Sequence, residues 1–279
     1  MKTIMYVPLI TMLLAQGLRA QDQAYLKWVE RREALKKDPS VARYYTFENV
    51  NDSGSIIPDL SGNGGNLQFA PYTDKITKKV YDDLKVVEGR WKDKKAVRLD
   101  LGAYQGPGYN IEKEQFTAEV WFRRIGPGSE PLSIVNRRRG HLLSLEGHRR
   151  GWRIITAYDS PVSGNTFSAA SVITFQLGKN ESEKASPAVS ARTMLTDNIW
   201  QHLAVSWDGN EMRLYLNGKL LGSTPYDKEY IPVERKNSFR LGFAGLGMGA
   251  VVTDIDEVVI YNRVLTAEEI EKLSKGVAG

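Results

Sequence analysis

The chain has 279 residues, with 42% hydrophobic and 25% charged residues and a formal charge of +5. That is the balance of a globular protein and not of a disordered one. It has no cysteine and three histidines, which excludes disulfide stapling, thiolate catalysis and cysteine-ligated zinc.

Residues 1–20 read as a secretory signal. Lys2 gives a positive start, and Ile4 to Ala15 is a mostly apolar run, too short to span a bilayer as a helix. Leu18-Arg19-Ala20 then places a small residue before Gln21, where cleavage is expected. The expected product is exported, to the outside or to a periplasm. It carries no lipid anchor, because no Cys follows the signal, and no later apolar stretch is long enough to span a membrane. Removing Lys2 and Arg19 lowers the charge from +5 to +3. A charge that mild argues against nucleic acid, which usually needs a basic stripe on a recognisable module.

Residues 22–38 predict a short helix with Tyr25, Trp28, Val29 and Leu35 on an irregular apolar stripe, ended by Pro39. Residues 21–40 are thus an N-terminal helical linker, with its helix expected to lie against the main domain. Beyond Val41 the period becomes two. Phe116, Ala118, Val120 and Phe122 alternate with Thr117, Glu119, Trp121 and Arg123. Residues 199–223 predict a three-strand meander turned at Asp208-Gly209 and Asn217-Gly218, dipeptides that tolerate positive φ.

Further strands are expected at 42–47, 96–101, 142–145, 152–158, 171–177, 239–243 and 254–261. Segments 50–95 and 178–198 carry weak patterning, and the second reads as a surface loop. Thr266 and Glu269 form a capping box for a closing helix, with Gly276 at its end. Many short strands without strand–helix–strand alternation predict an all-β antiparallel sandwich or barrel.

Several segments resemble a laminin-G-like domain of the concanavalin-A-like lectin/glucanase superfamily. These are Tyr44 to Glu48 with Asp59-Leu60-Ser61-Gly62-Asn63-Gly64, Phe116 to Phe122, Trp200 to Gly209 with Arg213 to Gly218, and Ile255 to Arg263 with Leu265 to Ile270. The resemblance covers residues 41–275. It implies a two-sheet jelly-roll sandwich with short terminal helices, and recognition of carbohydrate or protein by a secreted or cell-surface molecule. Fold alone does not fix that function.

A calcium site is one candidate. Asp59, Ser61, Asn63 and Gly64 follow the alternate-oxygen pattern of a helix-loop-helix calcium loop, but Ala70 stands at its twelfth position where a bidentate Glu is needed. A looser site remains, and the resemblance implies that Asp59 and Asp256 can lie close together, with Glu48 as a third ligand. In a regular strand Asp256 shares a face with Val258 and Ile260, so its carboxylate needs a cation or an arginine. Arg263, Arg240 and Arg98 are the candidate arginines.

An anionic patch is a second candidate: Arg137, Arg138 and Arg139 precede the strand at 142–145, and Arg149 and Arg150 follow it. Guanidinium groups suit carboxylate, sulfate or phosphate, while the plainer reading is a solvated set of loops. Trp91, Trp152, Tyr104, Tyr109 and Tyr158 are candidate sugar platforms or core residues. Glycoside hydrolysis fits poorly. Asp254 and Asp256 lack the flanking glutamates of a retaining pair, and Glu112 and Glu114 complete no motif. The expectation is a non-catalytic carbohydrate-binding module, with calcium as a possible cofactor. The alternative is an interaction module for a cell-envelope protein.

Overall fold

The computed structural model describes residues 23–50, 55–73, 78, 80–82, 85–100, 102–108, 115–126, 139–145, 151–158, 170–177, 188–227, 239–242 and 251–275. The expected signal at 1–20, Arg137, Arg138, Arg149, Arg150, Tyr109, Glu112, Glu114 and Gly276 lie outside them.

Alternating apolar strands have built two antiparallel sheets. The first contains β1 (Val41–Tyr45), β6 (Lys85–Glu88), β7 (Lys95–Leu99), β9 (Phe116–Arg124), β14 (Gln201–Trp207), β15 (Glu211–Leu216), β16 (Lys219–Pro225) and β18 (Thr253–Tyr261). Its order is β16-β15-β14-β9-β18-β7-β6, with β1 also beside β18. The second contains β2 (Ile56–Ile57), β3 (Leu67–Ala70), β8 (Ala103–Gly106), β10 (Arg139–Leu145), β11 (Trp152–Tyr158), β12 (Ala170–Leu177), β13 (Ala188–Met194) and β17 (Phe239–Gly242). Its order is β13-β12-β11-β10-β17-β8-β3-β2. A small ribbon pairs β4 (Tyr72–Thr73) with β5 (Val80–Tyr81).

The two sheets pack face to face. Phe116, Ala118, Val120 and Phe122 of β9 meet Trp152, Ile154 and Phe175 of the second sheet in one core, as the period-two pattern requires. Phe116 stacks on Trp152 with centroids 5.3 Å apart. The predicted meander is present as β14, β15 and β16, and Gly209, Asn217 and Gly218 all have positive φ. Helix α1 covers residues 23–35 and α2 covers Ala267–Lys275. The capping box is formed: the Glu269 N–H donates to Thr266 Oγ1 at 3.1 Å, and the Thr266 N–H donates to Glu269 Oε2 at 2.7 Å.

Two expectations need correction. Segment 178–198 is not wholly a loop, because β13 occupies Ala188–Met194 and pairs with β12 along its length. It is an edge strand whose outward residues Ser190 and Arg192 are polar and exposed, which hid its period. Asp256 does not share a face with Val258 and Ile260. A bulge lies between Ile255 and Glu257, and the extra residue shifts the alternation. Ile255, Val258 and Ile260 therefore face the core, while Glu257 turns outward to meet α1.

Candidate functional site

A ligand for this sandwich must meet one of its two outer faces or its loop rims. The middle of the first sheet's outer face is covered by the helices. Val41, Tyr44, Ala204, Tyr215, Val259 and Tyr261 form a second apolar cluster there, with Leu35 of α1 and Ile270 of α2. Trp28 of α1 is buried and stacks near Tyr25 and Trp91, with centroids 5.6 and 5.5 Å away.

Beneath α1 three cations meet three carboxylates. Arg31 bridges Glu119 and also reaches Glu257 at 3.3 Å. Arg90 contacts Asp256 at 2.7 Å and Glu257 at 2.5 Å. Lys94 contacts Asp256 at 2.7 Å. Tyr44 and Trp28 each donate to Glu257, at 2.9 and 3.1 Å. Tyr261 donates to Glu119 at 3.1 Å, and His202 Nε2 bonds the same carboxylate at 3.1 Å. Arg90 also lies 4.5 Å from the centroids of both Trp91 and Trp121.

Burial pushes the Glu257 carboxyl up, but Arg31, Arg90 and Lys94 outweigh it and hold it at about 2. Burial also pushes Glu119 up, and Arg31 and His202 bring it below the usual glutamate value. Lys94 is lowered by its burial, with Asp256 opposing. A set whose charges match and whose oxygens are this fully bonded is suited to holding elements together.

The second sheet's outer face is different. A single row of side chains crosses six neighbouring strands: Gln68, Gln105, Arg240, Ser144, Arg153 and Gln176, each opposite the next in register. Their neighbours on either side in the strands, such as Leu241, Leu143 and Ile154, face the core. Gln68 is exposed and Gln105, Arg240, Arg153 and Gln176 are half-buried, while Ser144, in the middle of the row, is buried. Arg153 Nε donates to Gln176 Oε1. At about 4.8 Å per strand the row spans roughly 24 Å. Thr174 and Ser190, on the next row, bond through their hydroxyls at 2.9 Å. This face presents amides, hydroxyls and guanidiniums aimed outward from a rigid sheet, and such groups can fix the orientation of a polar ligand.

The residues singled out from sequence are not brought together as a metal centre. Asp59 Oδ1 accepts from the N–H groups of Tyr44 and Ser61, both at 3.0 Å, and Oδ2 from Gly65 at 3.0 Å. Glu48 pairs with Arg32 at 2.5 Å. Asp256 is held by Arg90 and Lys94. Arg98 pairs with Asp254, Arg263 pairs with Glu269, and Arg240 belongs to the other sheet. Among the described residues no group of three or more His, Asp or Glu side chains is arranged to hold a metal ion. Asp254 is bracketed by Arg98 and Arg123, so neither Asp254 nor Asp256 is an open carboxylate.

Arg139 heads β10 and Leu145 ends it, roughly 20 Å apart at about 3.3 Å per residue. Of the five arginines of the expected anionic patch, only Arg139 lies within the described residues. Trp152, Tyr104 and Trp91 are buried, at 0%, 1% and 6% exposure, so none offers a ring to a sugar. The polar row was missed in the sequence. Its six members lie on six strands, one per strand, and each reads locally as an ordinary outward residue.

A laminin G family model, described as the concanavalin A-like lectin/glucanases superfamily, matches residues 102–271. No curated protein matches the chain in sequence. Several solved structures share the fold. The binding domain of Paraclostridial Mosquitocidal Protein 1 aligns with a TM-score of 0.60 at 18% identity, over 86% of this chain and 52% of that one. The binding domain of Botulinum Neurotoxin DC in complex with SialylT aligns at 0.54 and 14%, over 86% and 52%. The same domain with rat synaptotagmin II aligns at 0.56 and 14%, over 87% and 52%. The chain thus spans about half the length of these structures, which at such identities bear on the fold alone.

Proposed function

The chain belongs to the concanavalin A-like lectin/glucanase superfamily, and from that membership we propose that it is a non-catalytic glycan-binding module whose ligand lies across the outer face of the second sheet. The observation that carries this reading is the polar row from Gln68 to Gln176, with Ser144 buried at its middle, on a face that no described helix covers. Amides and guanidiniums in fixed register hydrogen-bond to hydroxyl and acid groups spaced along an extended chain. The first sheet offers less of this opportunity, because α1 and α2 cover the middle of its outer face. Structures of similar fold include one in complex with a sialyl ligand, which fits the class of ligand without assigning it.

The non-catalytic part rests on the acids. The nearest candidate pair for sugar hydrolysis, Asp254 and Asp256, is 0% exposed on both members and bound to arginine and lysine. A retaining pair must instead face the substrate. Residues 1–20 are proposed as an export leader, which would place the module outside the cytoplasm. Binding of the purified mature protein to a glycan array, compared with a Gln68→Ala/Gln105→Ala double variant, tests the reading. Specific binding that the variant loses supports it; absence of binding to any glycan, or binding indifferent to the variant, overturns it.

A further inference from the structure

Without α1 the ion cluster beneath it is short of one cation. The sandwich supplies three carboxylates, Glu119, Asp256 and Glu257, but two cations, Arg90 and Lys94. The third cation, Arg31, comes from α1 and reaches both Glu119 and Glu257. His202 is poorly placed to make up the difference. Its Nε2 lies on Glu119, while its buried Nδ1 has no partner among the described residues, so a proton there would be a donor without an acceptor. All three carboxylates are at most 2% exposed beneath the helix, and a buried acid needs a matching cation.

The cleft offers that cation a shaped seat. Arg31 also donates to the Tyr261 hydroxyl at 3.2 Å. Trp28, one turn earlier, donates its indole N–H to Glu257 at 3.1 Å, and its ring centroid lies 4.7 Å from Lys94 Nζ. Leu35, one turn beyond Arg31, enters the apolar cluster with Tyr44 and Val259. Positions 28, 31 and 35 lie on one helix face, so the sheet receives an aromatic donor, a guanidinium and an aliphatic group in that order. Arg32 adds a pair with Glu48 at 2.5 Å at the margin.

The hold on α1 is concentrated in few groups. Trp28 and Leu35 are its buried apolar side chains, and Arg31 keeps 23% of its side chain exposed. A helix of residues 23–35 is marginal alone in water, so α1 depends on docking for its helicity. A unit with few buried contacts opens at a lower free energy than the core. Opening can stop at the link, because the Asn262 N–H holds the Ser40 carbonyl and β1 keeps its pairing with β18. We propose that α1 is a releasable strap over a guanidinium-binding cleft on the first sheet, and that the cleft's other occupant is a helix of a partner protein presenting tryptophan and arginine three residues apart. The charge deficit of the open cleft selects a cationic helix. This surface is separate from the polar row of the other sheet and does not depend on glycan binding.

The test uses the whole chain and, as the probe, a labelled peptide of residues 22–38. In the parent, amides of α1 should exchange with solvent faster than those of β9 and β14, through local opening. Arg31→Ala should speed exchange in α1 further while β9 and β14 stay protected. The same variant should bind the peptide roughly tenfold more tightly than the parent does, because the parent's own helix competes. A peptide carrying Arg31→Ala should bind that variant roughly tenfold more weakly than the natural peptide. A peptide carrying Lys27→Ala, at an exposed position of α1, should bind as the natural one does.

If Arg31→Ala does not fold, the parent still decides: excess natural peptide should raise exchange in α1, and the arginine-free peptide should not. Exchange in α1 as slow as in β9 and β14 would mean that the helix opens only with the sandwich, and the strap would be abandoned. Equal affinity of the natural and arginine-free peptides, or an equal loss in the Lys27→Ala peptide, would remove the guanidinium cleft. A parent that elutes as a dimer, and as a monomer in Arg31→Ala, would make a second copy of the chain the occupant and overturn the partner assigned.

Discussion

The indole N–H of Trp28 donates to Glu257 at 3.1 Å, joining a helix near the start of the chain to the last strand of the sandwich. The same carboxylate takes Tyr44, Arg31 and Arg90, so its removal takes one of two carboxylate partners from each guanidinium, leaving Arg31 with Glu119 and Arg90 with Asp256. Breaking a buried pair by deleting one partner costs about 3–5 kcal/mol. Glu257→Ala should therefore lose about that much stability in urea. Trp28→Phe keeps most of the apolar contact and deletes one donor, which is worth about 1 kcal/mol. A loss in Glu257→Ala no larger than that in Trp28→Phe would show that the ion cluster contributes little.

Acid should unfold the protein through the same cluster. The Glu257 carboxyl sits at about 2 in the folded state against an ordinary 4.5, and Glu119 is lowered too. A depressed folded value means that the stabilisation is fully present above the unfolded value and is lost as pH falls through the folded one. Stability should thus be flat from pH 7 to about 5 and decline between about 4.5 and 2. In Glu257→Gln the decline should be shallower, because the Glu257 contribution has been removed. Urea midpoints measured across this range would refute the assignment if the variant and the parent lost stability in parallel.

The sandwich could be read from the chain because each core strand repeats its own apolar period. Phe116 to Phe122 and Leu203 to Trp207 announce both strand and face without help from distant residues. The apolar stripe of α1 was equally local, since Trp28 and Leu35 are the two residues it buries. What stayed hidden was pairing at long range. Asp256 was expected to need a cation, and it has two, but Arg90 and Lys94 come from the turn between β6 and β7. The bulge at Asp256 has no local signature either, because Thr253 to Tyr261 reads as a regular strand until its register against β9 is known. The polar row on the second sheet is a property of six strands together, and no window of sequence contains it.

Gly89 explains part of the precision at Asp256. A Cβ added there would press against Asp256 Oδ2 and come within 3.2 Å of the Lys94 carbonyl. The backbone N–H of Arg90, the next residue, donates to that same Oδ2 at 2.8 Å, so the turn cannot move away without giving up the bond. Gly89→Ala should lower stability by about 2 kcal/mol, the range typical of a forced shift in a packed site. An unchanged melting temperature would show that the turn has room to relax.

Calcium is expected to leave the melting temperature unchanged. Asp59 already accepts three backbone N–H groups, and Asp256 already carries Arg90 and Lys94. A hard cation needs six to eight oxygens and would have to displace these donors first. Melting curves in millimolar calcium and in chelator should superimpose; a rise of several degrees with calcium would mean that the carboxylates rearrange.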